Sequence, residues 1–113
     1  MATDVRAKLS NCGVSAQKVR LVTDMVRNMA AVEAMEKLRF VPKEAAKHIR
    51  ALLNSAIANA EENFGLNKND LYIYKITADE APTRRWRRFG ARGRFKKILR
   101  RSSHITIILR ERE

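Results

Sequence analysis

The chain has 113 residues, 45% of them apolar and 32% charged, with a net charge of +12. That length fits one domain with one modest core, and no apolar run approaches the roughly 20 residues a membrane span requires. Cys12 is the only cysteine, which excludes an internal disulfide, and beside two scattered histidines it offers no zinc-binding spacing.

The N-terminus, Met1-Ala2-Thr3-Asp4, lacks the apolar segment of a signal peptide, so the expected location is the reducing cytoplasm. The charge is uneven. Residues 1–83 carry 12 basic and 10 acidic side chains, whereas residues 84–113 carry 12 basic and 2 acidic. An ordinary soluble body is followed by a segment that suits a nucleic acid or an anionic surface.

Val5-Arg6-Ala7-Lys8-Leu9 alternates apolar and basic residues and predicts a half-buried strand, ended by a turn at Asn11–Gly13. Ser15 suits the N-cap of a helix to about Asn28. Val19, Leu21, Val22, Met25, Val26 and Met29 form its expected core arc, with Arg20, Asp24 and Arg27 outside. A second, shorter helix over Val32–Phe40 turns Val32, Met35 and Leu38 inward. Pro42 suits the first position of a third helix, which ends near Asn63 or Gly65, where glycine supplies the C-cap. Its apolar arc is Ala45, Ala46, Ile49, Leu52, Leu53, Ala56, Ile57 and Ala60. The opposite face carries Lys43, Lys47, Arg50 and Asn54, a basic stripe that reads either as a solvated face or as a phosphate-facing one. Leu71–Thr77 predicts a strand, with Ile98-Leu99 and His104–Leu109 as its return partner.

Between those strands lies the most unusual stretch. Arg84 to Arg101 contains Arg84, Arg85, Arg87, Arg88, Arg92, Arg94, Lys96, Lys97, Arg100 and Arg101, and no acid. Trp86, Phe89 and Phe95 interleave with them, and Gly90–Gly93 signals a turn. The expected fold is α+β: three helices packed on a small antiparallel sheet, with a long protruding basic β-hairpin. The chain is one domain over 1–113, with its body at 1–81 and 102–113 and its arm at about 82–101. At about 3.3 Å per residue the arm reaches roughly 30 Å from the body. Neither of its faces is cleanly apolar, so it cannot dock on its own body by hydrophobic burial, and its like charges repel.

A phosphate-rich partner reverses that balance through counterion release. Arginine forks grip phosphate in bidentate fashion, and the aromatics either stack on unpaired bases or pack within the hairpin. Folded RNA is expected over duplex DNA, because no recognition helix presents itself and charge on both faces suits a crevice. Catalysis is not expected. Ser102, Ser103 and His104 are merely adjacent, which does not make a nucleophile–base pair, and His104 reads as a structural hydrogen-bonding residue. His48 reads as a surface side chain. Asp79 and Glu80 point to opposite faces of a strand, a poor acid–base pair. No cofactor or metal motif is present. The alternative class is an architectural nucleic-acid-binding protein with a basic β-arm, which would be expected to dimerise.

Five stretches carry a resemblance: Ser15-Ala16-Gln17-Lys18-Val19-Arg20-Leu21-Val22, Ser55-Ala56-Ile57-Ala58-Asn59-Ala60-Glu61, Asp79-Glu80-Ala81-Pro82, Ala91-Arg92-Gly93-Arg94 and Arg101-Ser102-Ser103-His104-Ile105-Thr106. In this order and spacing, over roughly residues 5–110, the chain resembles the family of the twenty-second protein of the large ribosomal subunit in its bacterial form. The resemblance implies a structural role in which body and hairpin bind 23S rRNA, support early subunit assembly and meet other large-subunit proteins. It also implies that the hairpin tip lines the nascent-peptide exit tunnel. By position, the tip is Arg88, Phe89, Gly90, Ala91, Arg92, Gly93 and Arg94, with Phe89-Gly90 standing where the family commonly has Pro-Arg. Lys18 and Arg20 match helix-start positions that meet RNA, and Ser103 and His104 match the return-strand signature. The expected RNA-contacting set is therefore Lys18, Arg20, Lys43, Lys47, Arg50, Arg84, Arg85, Trp86, Arg87, Arg88, Arg92, Arg94, Lys96, Lys97, Arg100, Arg101, Ser103 and His104. No membrane partner is expected, and the chain is expected to be a monomer outside the ribosome.

Overall fold

The computed structural model describes residues 4–89 and 95–112, with side chains described outside 84–100. The order is β1 (Val5–Cys12), α1 (Ala16–Val26), α2 (Ala31–Arg39), α3 (Glu44–Phe64), a short 3-10 turn at Lys68–Asp70, β2 (Leu71–Glu80), β3 (Arg84–Phe89), β4 (Phe95–Arg100) and β5 (Ser103–Glu111). The strands form two antiparallel sheets, one of three strands ordered β1-β5-β2 and one of two strands, β3-β4. Helices and three-stranded sheet make the expected α+β architecture.

The last strand, β5, is central. Its residues alternate without interruption, Ser103, Ile105, Ile107 and Leu109 buried and the residues between them half-exposed. Period-two alternation of that kind places one face on a core and leaves the other open. Val5 on β1 and Leu71, Ile73, Ile76 and Ala78 on β2 complete the buried face. The helices cover it with Val19, Val22 and Val26 from α1, Ala31, Ala34 and Leu38 from α2, and the apolar arc of α3. Burying each of the larger aliphatic side chains is worth about 1.5–3 kcal/mol relative to exposure.

All eight residues expected on the inner face of α3 are buried. Alanines at 45, 46, 56 and 60 let the helix lie close to β1 and β5. The helix ends where Gly65 takes the left-handed conformation (φ 63°) and its N–H donates to the Ala60 carbonyl, a position that a side chain would disfavour by about 1–2 kcal/mol.

Four expectations need correction. On α1 the buried set is Ala16, Val19, Val22, Thr23 and Val26, while Leu21 is 56% and Met25 is 37% exposed. The cause lies on the helix flank: Arg20 Nε donates to the Ala78 carbonyl (3.1 Å) and Arg27 Nη2 to the Ile76 carbonyl (3.2 Å). These guanidinium groups pull α1 over the free edge of β2, and the arc that faces the sheet rotates away from Leu21 and Met25. They also satisfy edge carbonyls that would otherwise invite pairing with another chain. On α2, Ala31 and Ala34 are inside with Leu38, whereas Val32 is exposed and Met35 half-buried, because close approach to α3 favours the small residues. Pro42 precedes the helix cap instead of opening the helix, since Lys43 is still extended at the N-cap. Lastly, Ile98 and Leu99 pair with Trp86 and Arg85 rather than with β2, whose only neighbour in its sheet is β5.

The molecule measures 64 × 25 × 18 Å, with a Cα radius of gyration of 17.1 Å. A compact chain of about 100 residues has a radius near 13 Å, so this one is elongated.

Candidate nucleic-acid interface

Basic side chains from three separate segments meet at the start of α1. Lys18, Lys43 and Arg101 line one open cleft of about 720 Å³, together with Gly13, Val14, Ser15, Leu21, Glu44 and Ala45. A smaller cleft of about 240 Å³ adjoins it, lined by Ser15, Ala16, Gln17, Glu80, Ala81, Thr83, Arg101 and Ser102. Ser15 and Arg101 belong to both. Ser15 stands at the N-cap in extended conformation, and its carbonyl accepts the Val19 N–H, but its hydroxyl caps no backbone donor. No acid occupies the first turn of α1. The partial positive charge of the helix start therefore adds to that of Lys18, Lys43 and Arg101, against the carboxylates of Glu44 in the larger cleft and Glu80 in the smaller. Lys43 also begins the α3 stripe, and Lys47 and Arg50 continue it, both exposed.

The neck between the two sheets is held by a chain of hydrogen bonds. The Ala81 N–H donates to the Ser102 carbonyl (3.0 Å), and the Ser102 hydroxyl donates to the Pro82 carbonyl (3.3 Å). One residue further, the Ser103 hydroxyl donates to the Val14 carbonyl (2.8 Å), wholly inside the protein. His104 accepts the Asn11 N–H on Nδ1 (3.1 Å), which places its proton on Nε2. Asn11 itself has a positive φ of 55°, a conformation that asparagine tolerates well. The Arg-Ser-Ser-His run thus fastens the end of β4 to β1, to the loop before α1 and to the end of β2.

Of the expected contact residues, the fold brings Lys18, Lys43 and Arg101 together and sets Lys47 and Arg50 on the same helix as Lys43. Arg20 is exposed yet bound to the Ala78 carbonyl. Ser103 has no accessible surface, so its hydroxyl serves the neck and offers nothing to an outside partner. His104 is half-exposed with Nδ1 occupied. His48 Nε2 lies 4.0 Å from Glu44 one helical turn away, on the surface of α3. Among the described residues no group of acidic, histidine or cysteine side chains has the geometry of a metal site, and no helix is long and apolar enough to cross a membrane.

For the arm, the backbone register carries the information. β3 and β4 pair Arg84 with Arg100, Arg85 with Leu99, Trp86 with Ile98, Arg87 with Lys97, Arg88 with Lys96 and Phe89 with Phe95. Three of these six pairs set one cation directly opposite another, an arrangement that destabilises a ladder. The expected tip extends from Arg88 to Arg94, and its residues 90–94 lie outside the described residues. Sequence reasoning missed Leu21 as a lining residue of the main cleft, because its spacing matches the core arc.

Fold and charge together define a class: a small basic α+β protein bearing a cation-rich two-stranded arm. The family model for ribosomal protein L22p/L17e matches residues 7–110, and the chain belongs to that family of structural ribosomal proteins. It is 45% identical over 107 residues to the large ribosomal subunit protein uL22 of Caldicellulosiruptor saccharolyticus, covering 95% of this chain and 88% of that one. It is 47% identical over 106 residues to the uL22 of Dehalococcoides mccartyi, covering 94% and 97% respectively.

Proposed function

We propose that this chain is a structural constituent of the large ribosomal subunit that binds 23S rRNA with both its body and its arm. In this reading the cleft at Lys18, Lys43 and Arg101 takes backbone phosphate, and the α3 stripe at Lys47 and Arg50 continues that contact. Arg84, Arg85, Arg87, Arg88, Arg92, Arg94, Lys96, Lys97 and Arg100 neutralise phosphate on several sides of a crevice, and Trp86 stacks against RNA. The tip, Arg88 to Arg94, lies at the wall of the nascent-peptide tunnel. Subunit assembly is supported because one protein ties together RNA segments that are separate in sequence, alongside other large-subunit proteins. The role is scaffolding, not catalysis.

The observation that carries this reading is the arm's register, with cations opposite cations in three of six pairs. A two-stranded ribbon is marginal in water even without repulsion. Phosphate between and around those pairs converts the repulsion into salt-sensitive affinity.

The test is binding of the purified chain to 23S rRNA across a salt series, with and without residues 85–96. Removing them is expected to weaken binding and to flatten the logarithmic salt dependence by about 0.7–0.9 for each phosphate that is no longer neutralised. An unchanged slope would overturn the role of the arm. Preference for duplex DNA over rRNA, or absence of the protein from salt-washed large subunits, would overturn the assignment itself.

A further inference from the structure

The face of the three-stranded sheet opposite the helices has its own organised cluster, made of residues that neither line the cleft nor belong to the arm. Its rows are set by strand register. Arg6 lies beside Ile108, which lies beside Lys75; Lys8 lies beside Thr106, which lies beside Thr77. Arg110 is next to Tyr72. The regular alternation of β2 breaks between Ile73 and Lys75, where the register shifts and Tyr74 becomes an extra residue. Tyr74 and Lys75 are therefore both exposed, between the buried Ile73 and Ile76. A bulge of this kind re-aims a side chain; here it adds a tyrosine to an already cationic surface.

That tyrosine is built into a stack. The Arg110 guanidinium carbon lies 3.4 Å from the centre of the Tyr74 ring. Asp4 holds the guanidinium in place, accepting from Nε at 2.5 Å and from Nη2 at 3.4 Å. Tyr72 meets Tyr74 edge to face, with centroids 6.4 Å apart, and the Arg112 guanidinium covers Tyr72 at 4.8 Å. Tyr74 nevertheless remains 41% exposed. Of the acids near this face, Asp4 is engaged with Arg110, Asp79 lies at the far end of β2 opposite His104, and Glu62 of α3 lines a cleft at the β1 edge together with Arg6 and Lys8. Arg6, Lys8 and Lys75 are exposed on the remaining positions.

We infer that this open sheet face is a second RNA-contact surface, on which one unpaired base stacks against the Tyr74–Arg110 platform while Arg6, Lys8 and Lys75 take the flanking phosphates. Unstacked bases are recognised on flat aromatic rings and on guanidinium planes, and a strand-borne aromatic beside basic side chains supplies both elements at once. A protein partner is disfavoured by the charge and by the thin apolar content of the face, where Ile108 is the only aliphatic residue in the described rows. The inference rests on the proposed rRNA binding and assigns it a surface that neither the charged arm nor the cleft includes.

The test compares the full chain with Tyr74→Ala and Tyr74→Phe for affinity to 23S rRNA over the same salt series. Tyr74→Ala is expected to lose roughly ten-fold in affinity with an unchanged salt slope, since no charge is removed, and Tyr74→Phe to bind like the parent. Equal binding by all three, with the parent binding well, overturns the platform alone; no rRNA affinity in the parent overturns the underlying reading. A second measurement does not depend on the alanine variant folding. With p-benzoylphenylalanine replacing Tyr74, irradiation of reconstituted large subunits is expected to cross-link the chain to 23S rRNA. Cross-linking to a protein, or to nothing, overturns the inference.

Discussion

In the three-stranded sheet, β5 sets Ile105, Ile107 and Leu109 against the helices and pairs on both sides with strands that bury their own apolar residues. In the two-stranded ladder the register sets Arg84 against Arg100, Arg87 against Lys97 and Arg88 against Lys96. Backbone pairing is the same in kind. The energetic settings are opposite: one sheet is stabilised by what it excludes from water, the other is opposed by what its own neighbours carry. A strand pair of the second sort holds its shape best where something outside supplies the missing negative charge. The contrast separates a sheet that its own core stabilises from a ladder that its own charges oppose.

The widest expected difference is in amide hydrogen exchange of the isolated protein. Amides of Ile105–Leu109 are expected to exchange only through global opening, and those of β3 and β4 through local opening, so protection differs by at least about a thousand-fold for a body of ordinary stability. Bound to 23S rRNA, the β3 and β4 amides are expected to slow strongly while the β5 amides barely change. Comparable protection of the two sheets in the free protein would erase the contrast.

Ile107→Ala attacks the body alone. The side chain is fully buried in the central strand, and its truncation is expected to cost about 2–5 kcal/mol in denaturant unfolding. The salt slope of rRNA binding, measured where the variant remains folded, is expected to stay at the parent value. A changed slope would mean that core packing and the phosphate contacts are not separable.

Ser103→Ala probes the join. It removes the donor to the Val14 carbonyl and leaves that buried acceptor without its partner, at an expected cost of about 1–3 kcal/mol. Because Val14 and Ser15 line the cleft that also holds Arg101, rRNA affinity is expected to fall beyond what the loss of stability explains. Normal affinity in the folded variant would make the neck a purely internal fastening.

How much of this was legible in the sequence depended on whether a feature was local. On α3, eight apolar positions at helical spacing with glycine after them specify both the buried arc and the end of the helix, and every one of the eight is inside. On α1 the spacing admits a wider arc than the fold uses. The arc the fold uses is the one that buries Val19, Val22 and Val26 while Arg20 and Arg27 donate to β2, which leaves Leu21 and Met25 outside. The basic residues of the interface were visible individually, but their convergence was not: Lys18, Lys43 and Arg101 come from three segments that only tertiary packing brings to one cleft. The Tyr74 platform was hidden for a different reason. The composition of Leu71–Thr77, rich in isoleucine, tyrosine and threonine, predicts a strand without its register; the one local mark of the shift is the break in alternation at Lys75-Ile76, which leaves Tyr74 and Lys75 both exposed. Ile98 and Leu99 misled by composition, since apolar residues beside a strand resemble a continuation of it.

The smallest effect expected, and the most selective, follows from a carboxylate at the start of the body whose titration is displaced. The hydrogen bond from Arg110 holds the Asp4 carboxyl below the ordinary range; partial desolvation opposes this, and the positive charges of Arg110 and Arg6 reinforce it. Arg110 is correspondingly raised and stays protonated throughout. A carboxyl with a lowered folded-state pKa contributes stability that is complete above its ordinary value, about 3.9 for aspartate, and disappears as pH falls through the lower folded value. Asp4→Asn is therefore expected to be slightly less stable than the parent at neutral pH, with the difference steady down to about pH 5 and closing below about pH 4. Arg84 to Arg101 contains no acid, so the arm has no carboxylate of its own to titrate over that range. A parent–variant gap in unfolding midpoint that persists undiminished in acid would show that the Asp4–Arg110 contact acts through packing and not through charge.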